Sequence, residues 1–170
     1  MLDTLLELDR SLLLFFNQGH TLYWDQVMWI YTGKLVWIPL ILSMIYVAFR
    51  CGGWREGVWF VLVAGVALLC DQFSSSVCKP FFERYRPARD PDFSSMVTIV
   101  NGYRGGMFGF FSSHAANAAG IVVYTALIFR NKLYAATAVL WALLTCYSRM
   151  YLGVHYPGDI LAGLLWGILM

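Results

Sequence analysis

Long apolar stretches, separated by short polar segments, dominate the pattern along the chain. Five of these stretches contain no charged residue: 35–49, 57–70, 115–129, 133–147 and 160–170. A helix needs about 20 residues to cross the apolar part of a bilayer, so the runs reach that length only where their polar flanks continue the helix. The pattern predicts five membrane helices, of which the last is the shortest.

Residues 1–20 show a different pattern, in which charged side chains are mixed with leucine and phenylalanine. The charged positions are Asp3, Glu7, Asp9 and Arg10. Such a mixture is typical of an amphipathic helix lying in the membrane interface. Together with the five runs it predicts an all-α fold, a polytopic transmembrane bundle of five to six helices that includes this interfacial helix. Because the chain shows no repeat or linker, we expect a single domain over residues 1–170.

The composition supports a membrane protein and excludes another class. Hydrophobic residues make up 59% of the chain and charged residues 13%, well outside the usual range of soluble domains. The net charge of +2 is too small to indicate nucleic-acid binding. The four cysteines form no CxxC pair, so packing is their expected role.

The connections between the apolar runs predict how the chain is oriented. Residues 50–55 and 130–132 are short and basic, which by the positive-inside rule makes them cytoplasmic. The N-terminal helix and the polar segments 86–112 and 151–157 then share the outer face. This arrangement favours one site on that face.

Lys79 and Arg86 are candidate ligands for an anion. They are seven residues apart, so they project from one face if the helix continues past Pro80. The planar fork of arginine suits phosphate, and lysine adds a mobile point charge. The alternative is that both side chains extend to lipid headgroups.

His155 and Asp159 are four residues apart at the start of the last apolar run, so the carboxylate can reach one ring nitrogen. An imidazole held in this way has a fixed tautomer and a stabilised positive charge, which a nucleophilic histidine requires. Arg149 can point at the group that His155 attacks. His114 opens the third run, where the positive end of a helix favours an anion, and it suits a general acid.

The spacing Lys-x6-Arg-Pro, then Ser-x-His, then Ser-Arg-x5-His-x3-Asp resembles the three-part signature of the type 2 phosphatidic acid phosphatase family, which shares its site with vanadium haloperoxidases. The resemblance covers residues 79–159. The middle segment departs from the common Pro-Ser-Gly-His form, with Phe111 in place of proline and Ser113 in place of glycine.

The resemblance implies a role for each matched residue. His155 attacks phosphorus, Asp159 orients His155, and His114 protonates the leaving oxygen. The expected phosphate ligands are Lys79, Arg86, Ser112, Ser113 and Arg149. The reaction passes through a phosphohistidine, and no metal and no cofactor are expected.

The function implied is that of a lipid phosphatase, multi-pass in the bacterial inner membrane, with its site facing the periplasm or cell exterior. Undecaprenyl diphosphate is the favoured substrate, with phosphatidylglycerol phosphate, phosphatidic acid and a lipid A phosphate as alternatives. The expected partners are this lipid and the bilayer, without an obligate protein partner. Two other functions stay open: a phosphotransferase between lipids, and a non-catalytic protein that binds an anion or lipid.

Several residues outside the signature also carry expectations. Lys34, Arg84 and Arg104 are candidates to bind a headgroup. Residues 88–112 have a flexible composition and are long enough to form an outer loop or lid. Asp71, inside an apolar run, is expected to be structural, with Ser74 and Ser75 near enough to hydrogen-bond it.

Overall fold

The structure is a computed structural model that describes residues 2–170, except for the side chains of residues 2, 34–36, 39, 40, 43, 44, 47, 48, 51, 52, 56, 63, 64, 66, 68, 70 and 128. Seven α-helices form most of it: α1 Leu2–Phe16, α2 Leu22–Thr32, α3 Lys34–Phe73, α4 Lys79–Phe82, α5 Ser113–Phe129, α6 Lys132–Tyr151 and α7 Pro157–Leu169. A π-helical turn, Ser74–Cys78, joins α3 to α4, and three 3₁₀ turns follow: Pro87–Arg89, Ser94–Met96 and Val100–Gly102.

The prediction of a helical chain is confirmed. Over residues 2–170 no strand forms, and extended pairing is limited to one isolated bridge between Tyr85 and Phe108. Three apolar runs, 115–129, 133–147 and 160–170, coincide with α5, α6 and α7. In the portion of the chain that is described, no helix combines the length and apolar character required to cross a bilayer.

The runs 35–49 and 57–70 lie in the two halves of α3, which meet at a kink within residues 50–55, where the sequence predicts a short connection. Only Gly53 leaves the helical region there, with φ 78° and ψ −169°. Glycine reaches such angles without the steric cost that a Cβ imposes. One residue therefore changes the direction of the chain, and a longer connection is not needed.

The sequence did not predict α2. Its signal is the N-cap Thr21, whose hydroxyl accepts a hydrogen bond from the backbone N–H of Trp24 at 3.2 Å. The helix is short and mixes aromatic with polar residues, so it shows no apolar run. It packs against α6.

Helix α5 forms the centre of the fold, because it packs against α3, α6 and α7. Its approach to α7 is close: a Cβ on Gly167 would overlap the carbonyl oxygen of Ala116, and one on Gly163 would lie 2.5 Å from that of Ser112. The absence of side chains at these glycines lets the first turns of α5 and the length of α7 lie together. The backbone N–H of Ser112 donates to the carbonyl of Asp159 at 3.0 Å.

Helix α1 turns part of its charged face towards the protein. Its charged residues Asp9 and Arg10 face the protein, where they pair with Arg84 and Asp90. Its exposed side chains are largely apolar: Leu5, Leu6, Leu8, Leu12 and Phe15. The predicted helix exists, but only Asp3 and Glu7 among its charged residues are exposed, while Asp9 and Arg10 contact the rest of the chain.

Residues 88–112 contact the core at a few positions, which are separated by exposed residues. The segment inserts Phe93, Val97 and Val100 into the core. At its start the backbone N–H of Ala88 donates to the carbonyl of Gly153 at 3.1 Å. The flexible composition predicts an outer loop or lid, and these three apolar side chains fix parts of the segment to the core.

Candidate active site

Lys79 lies directly after the π-helical turn, and its backbone N–H donates to the carbonyl of Ser74. Such wide turns occur frequently at functional sites because they re-aim the residues that follow. The Nζ atom of Lys79 donates to Ser113 Oγ at 3.0 Å and to Ser75 Oγ at 3.2 Å. Ser113 Oγ in turn donates to Ser74 Oγ at 3.1 Å. This network fixes Lys79 against the start of α5.

Lys79 and Arg86 reach the same site, but not from one helix face as predicted. Helix α4 ends at Phe82 because Glu83 adopts left-handed angles, φ 45° and ψ 26°. The following residues are extended, and Tyr85 pairs with Phe108. The turn at Glu83, and not helical periodicity, brings the second cation to the site.

Arg86 is buried, with 8% of its surface exposed. Its Nε donates to the carbonyl of Phe108 at 3.1 Å, and its Nη1 donates to the carbonyl of Val154 at 3.3 Å. The same Nη1 lies 3.2 Å from Nε2 of His155. These contacts hold the guanidinium beside the ring.

The contact with Arg86 determines the tautomer of His155. A guanidinium only donates hydrogen bonds, so Nε2 must accept and carry the lone pair. The ring proton then lies on Nδ1, which faces Asp159 Oδ2 at 3.5 Å. Burial, followed by the charges of Arg86, Arg149 and Lys79, holds the pKa of His155 well below its usual range. His155 is therefore neutral at pH 7, with Nε2 available as a nucleophile.

Asp159 is fully buried and ties together several parts of the site. Its Oδ1 accepts from Arg84 Nη1 at 2.7 Å, and its Oδ2 accepts from the backbone N–H of Tyr156 at 3.1 Å. Burial raises the pKa of Asp159 to about 6, although the neighbouring charge of Arg84 lowers it. Arg84 is thus the counter-charge that keeps this carboxylate ionised near neutral pH.

Arg149 is also buried, with 2% of its surface exposed. Its Nη1 donates to Thr32 Oγ1 at 2.6 Å, and its guanidinium lies 5.8 Å from the ring centroid of Tyr103. Among the described residues, its buried Nε has no hydrogen-bond partner. A buried donor without a partner is costly, and an anion would satisfy it.

Three cations therefore surround one neutral imidazole. Across residues 2–170, as far as the side chains are described, neither Lys79 nor Arg86 nor Arg149 forms an ion pair with a carboxylate. The pKa of Arg86 is lowered first by burial and then by repulsion from Arg149. Concentrated positive charge of this kind favours a multiply charged anion.

The predicted middle segment begins α5. Ser112 is the N-cap, and its Oγ accepts from the backbone N–H of Ala115 at 3.4 Å. Ser113 is the first residue of the helix and His114 the second. The positive end of α5 and the side chain of Ser113 thus meet Lys79, while His114 follows at the same helix end.

Comparison with known proteins identifies the family. Residues 60–170 match the sequence profile of the PAP2 superfamily. A lipid A 4'-phosphatase of Bacteroides thetaiotaomicron is 38% identical over 169 residues, which cover 98% of this chain and 75% of that protein. This chain belongs to the PAP2 superfamily. The predicted resemblance and the predicted class, a phosphoric ester hydrolase, are confirmed.

Two further comparisons agree with PAP2 membership. A lipid A 4'-phosphatase of Porphyromonas gingivalis is 37% identical over 172 residues, covering 99% of this chain and 72% of that protein. The crystal structure of a transmembrane PAP2-type phosphatidylglycerolphosphate phosphatase from Bacillus subtilis superposes with a TM-score of 0.75. That likeness covers 98% of this chain and 82% of the other at 24% identity, so it concerns the fold.

The three residues predicted to bind a headgroup lie in different surroundings. Arg84 pairs with two carboxylates, those of Asp9 and Asp159. Arg104 is exposed and donates to the carbonyl of Ala88 at 2.8 Å. The side chain of Lys34 lies outside the described residues.

The two serines expected to hydrogen-bond Asp71 have other partners. Ser74 Oγ donates to the carbonyl of Phe111 at 2.9 Å. Ser75 Oγ accepts from Lys79. Because both hydroxyls serve the start of α5 and Lys79, the hydrogen-bonding role predicted for them at Asp71 is not observed.

The sequence did not predict a role for Gly109, which packs against three residues of the candidate site. A Cβ there would lie 3.1 Å from Asp159 Oδ2, 3.2 Å from Arg86 Cγ and 3.6 Å from His155 Nδ1. The available signal was a single glycine among aromatic residues, a pattern that marks close backbone approach.

Proposed function

We propose that this chain hydrolyses a lipid phosphate through a phosphohistidine formed on His155. One observation carries the proposal: Nε2 of a buried, neutral imidazole faces Arg86 while Nδ1 faces Asp159. A protein that only bound an anion would need the cations but not this oriented ring. The PAP2 relatives, which are named phosphatases, support the same reaction class.

In the first step, Lys79, Arg86 and Arg149 neutralise charge on the phosphoryl oxygens. Arg86 then donates to a phosphoryl oxygen in place of His155, which frees the Nε2 lone pair. Nε2 of His155 attacks phosphorus, and the bond from phosphorus to the lipid oxygen breaks. His114 gives its proton to that oxygen. The positive charge that develops on the imidazole strengthens its contact with Asp159, and we expect the 3.5 Å separation to shorten.

In the second step, water hydrolyses the phosphohistidine. His114, now neutral, accepts the proton of the attacking water, the nitrogen–phosphorus bond breaks, and inorganic phosphate leaves. No step requires a metal ion, because fixed cations supply the charge stabilisation. The cycle returns both histidines to their starting protonation states.

The relatives favour a different substrate from the one that the sequence alone favours. Two of them, at 38% and 37% identity, are named lipid A 4'-phosphatases. This likeness favours a lipid A phosphate ahead of undecaprenyl diphosphate, the first choice from the sequence. Phosphatidylglycerol phosphate and phosphatidic acid remain in the set.

We further propose that the chain is embedded in the bacterial inner membrane as one multi-pass domain, with the site facing the periplasm or cell exterior. The support is the set of five uncharged apolar runs and the positions of the basic connections in the sequence. The Bacillus subtilis phosphatase that shares this fold is a transmembrane protein, which agrees with the proposed placement. Cysteine labelling in intact cells tests it: a cysteine at Arg130 should react only with permeant reagents.

The mechanism is tested by rapid quenching with a ³²P-labelled lipid phosphate in detergent. We expect an acid-labile, base-stable label on the parent chain and no label on His155→Ala. The His114→Ala variant should turn over slowly. EDTA should change none of these results. Full activity of His155→Ala would overturn the mechanism. Loss of activity with EDTA would contradict a metal-free reaction.

The substrate is tested with a panel of lipid A phosphate, undecaprenyl diphosphate, phosphatidylglycerol phosphate and phosphatidic acid. The largest kcat/KM should fall on lipid A phosphate. Phosphate transferred to a second lipid, and not released to water, would indicate the phosphotransferase instead. Binding of all four lipids without turnover would indicate the non-catalytic alternative.

A further inference from the structure

Asp9, on helix α1, contacts two parts of the site from far away in the sequence. Its Oδ2 accepts from Arg84 Nη2 at 2.5 Å, and its Oδ1 accepts from the backbone N–H of Gly158 at 2.7 Å. The other terminal nitrogen of Arg84, Nη1, donates to Asp159 Oδ1 at 2.7 Å. A continuous series of contacts thus runs from Asp9 through Arg84 and Asp159 to His155.

The geometry of Arg84 makes this series rigid. A guanidinium is planar, so a carboxylate on each terminal nitrogen fixes both its position and its plane. One face also lies over the ring of Tyr156, 4.4 Å from the centroid. The backbone carbonyl of Arg84 accepts from Gly109 at 2.8 Å. Asp9 therefore fixes the position of Arg84, and Arg84 in turn fixes the position of Asp159 Oδ1.

A second, independent feature is the space left for this pair at Gly158. A Cβ at that position would lie 2.9 Å from Asp9 Oδ2 and 3.4 Å from Arg84 Nη1. Glycine here, at the second residue of α7, lets the ion pair approach the helix start. The N-terminus of α7 and the carboxylate of Asp9 are thereby brought together.

Contacts along helix α1 fix its position in the fold, and with it the position of Asp9. Leu13 is fully buried in the core. Asn17, just after the helix, donates to the carbonyls of Tyr151 and Thr98 at 2.6 and 3.0 Å. Arg10 pairs with Asp90 at 3.1 Å.

We infer that Asp9 is a positioning residue: acting through Arg84, it fixes the Asp159 carboxylate that orients His155, so that α1 belongs to the catalytic scaffold. The inference rests on the proposed role of His155 as nucleophile. Asp9 lies outside the Lys79–Asp159 segment that carries the family signature, and touches neither the ring nor the three phosphate cations. Its effect is therefore on turnover and not on phosphate binding.

The test is a double-mutant cycle with Asp9→Asn and Arg84→Gln, assayed on dioctanoyl phosphatidic acid in detergent micelles. Asparagine keeps an acceptor for the backbone N–H of Gly158, and it replaces the charged oxygen that accepts from Arg84 with an NH2 group that cannot accept. We expect kcat to fall about 10-fold in Asp9→Asn with KM within about twofold, because residues that hold a reactive group through a second contact typically contribute about 10- to 100-fold.

The cycle also distinguishes positioning from a general effect on the fold. If Asp9 acts through Arg84, the double variant should have the kcat of Arg84→Gln alone. A double variant whose loss of kcat equals the product of the two single losses would overturn the inference. Vanadate titration counts intact sites, so kcat per vanadate-binding site excludes misfolded protein, and vanadate affinity should match that of the parent.

Two further variants complete the design. Glu7→Gln, an exposed acid on the same helix, should retain parental kcat. Asp9→Glu keeps the charge but displaces it by one methylene, and should give an intermediate kcat; parental kcat in Asp9→Glu and Asp9→Asn alike would overturn the inference. If His155→Ala is active, the proposed function fails; if it is inactive while Asp9→Asn is fully active, only this inference fails.

Discussion

Arg86 Nη1 and His155 Nε2 lie 3.2 Å apart in the buried centre of the site. Since the guanidinium can only donate, this contact places the lone pair of the imidazole where the cations converge. The same arginine is also fastened to two backbone carbonyls, those of Phe108 and Val154. The nucleophilic nitrogen and the phosphate ligand are thus positioned by one side chain.

Arg86→Lys should therefore be severe although it conserves charge. Lysine offers one charged group in place of a planar fork, so it cannot hold both carbonyls and a phosphoryl oxygen. We expect kcat/KM to fall about 100-fold, the size typical for losing one transition-state donor. Steady-state kinetics of Arg89→Lys, an exposed neighbour, provide the matched control. Near-parental kcat/KM in Arg86→Lys would mean that charge alone is sufficient.

The pH dependence of the reaction should reflect Asp159. Its pKa is raised to about 6 by burial, so the carboxylate is ionised above that pH and protonated below it. Protonated Asp159 cannot stabilise a positive imidazole, so kcat/KM should fall as the pH drops through about 6. His155, whose pKa is lowered, stays neutral across this interval and does not cause the fall.

The substrate also titrates near pH 6, because the second ionisation of a phosphate monoester lies there. Dividing the kcat/KM of the parent by that of Asp159→Asn cancels this contribution. The ratio should rise as the pH passes through about 6 and become constant above that, once Asp159 is fully ionised. A ratio independent of pH would show that ionisation of Asp159 does not control turnover.

The residues of the signature were predictable because their spacing within each segment is local. His155 and Asp159, four residues apart, meet across the first turn of α7, and His114 follows the serines that begin α5. The relation between Lys79 and Arg86 was predicted for the wrong reason. A left-handed residue, Glu83, ends the helix between them, and no periodicity in the sequence indicates it.

Contacts between distant segments were not predictable in this way. Arg84 and Asp9 are separated by 75 residues, and Arg149 and Thr32 by 117. Each contact depends on how α1 or α2 packs, and α2 itself gave no apolar run. Charged residues on α1 were consistent with solvent or with the protein, and only the tertiary fold decides between them.

Ser113 occupies the place of the glycine found in the common family form, and its hydroxyl accepts from Lys79 at 3.0 Å. Ser113→Ala should release Lys79, which keeps only its 3.2 Å bond to Ser75. We expect KM to rise about 10-fold or more, as one hydrogen bond to a charged group contributes about 1.5–3 kcal/mol and about 1.4 kcal/mol is tenfold, and kcat to change less. Ser95→Ala, in an exposed turn, is the control. An unchanged KM in Ser113→Ala would mean that Ser75 alone positions Lys79.

Gly109→Ala tests how tightly the backbone must approach the His155–Asp159 pair. The added methyl would lie 3.1 Å from Asp159 Oδ2 and 3.2 Å from Arg86 Cγ, closer than ordinary contact. Asp159 cannot yield easily because Arg84 and a backbone N–H hold its two oxygens. We expect kcat to fall about 10-fold and stability to drop by about 1–3 kcal/mol, the usual cost of overpacking. Activity assays and thermal unfolding should show neither change in Gly106→Ala, where a Cβ meets nothing within 4 Å. Parental kcat in Gly109→Ala would mean that Asp159 can shift without disturbing His155.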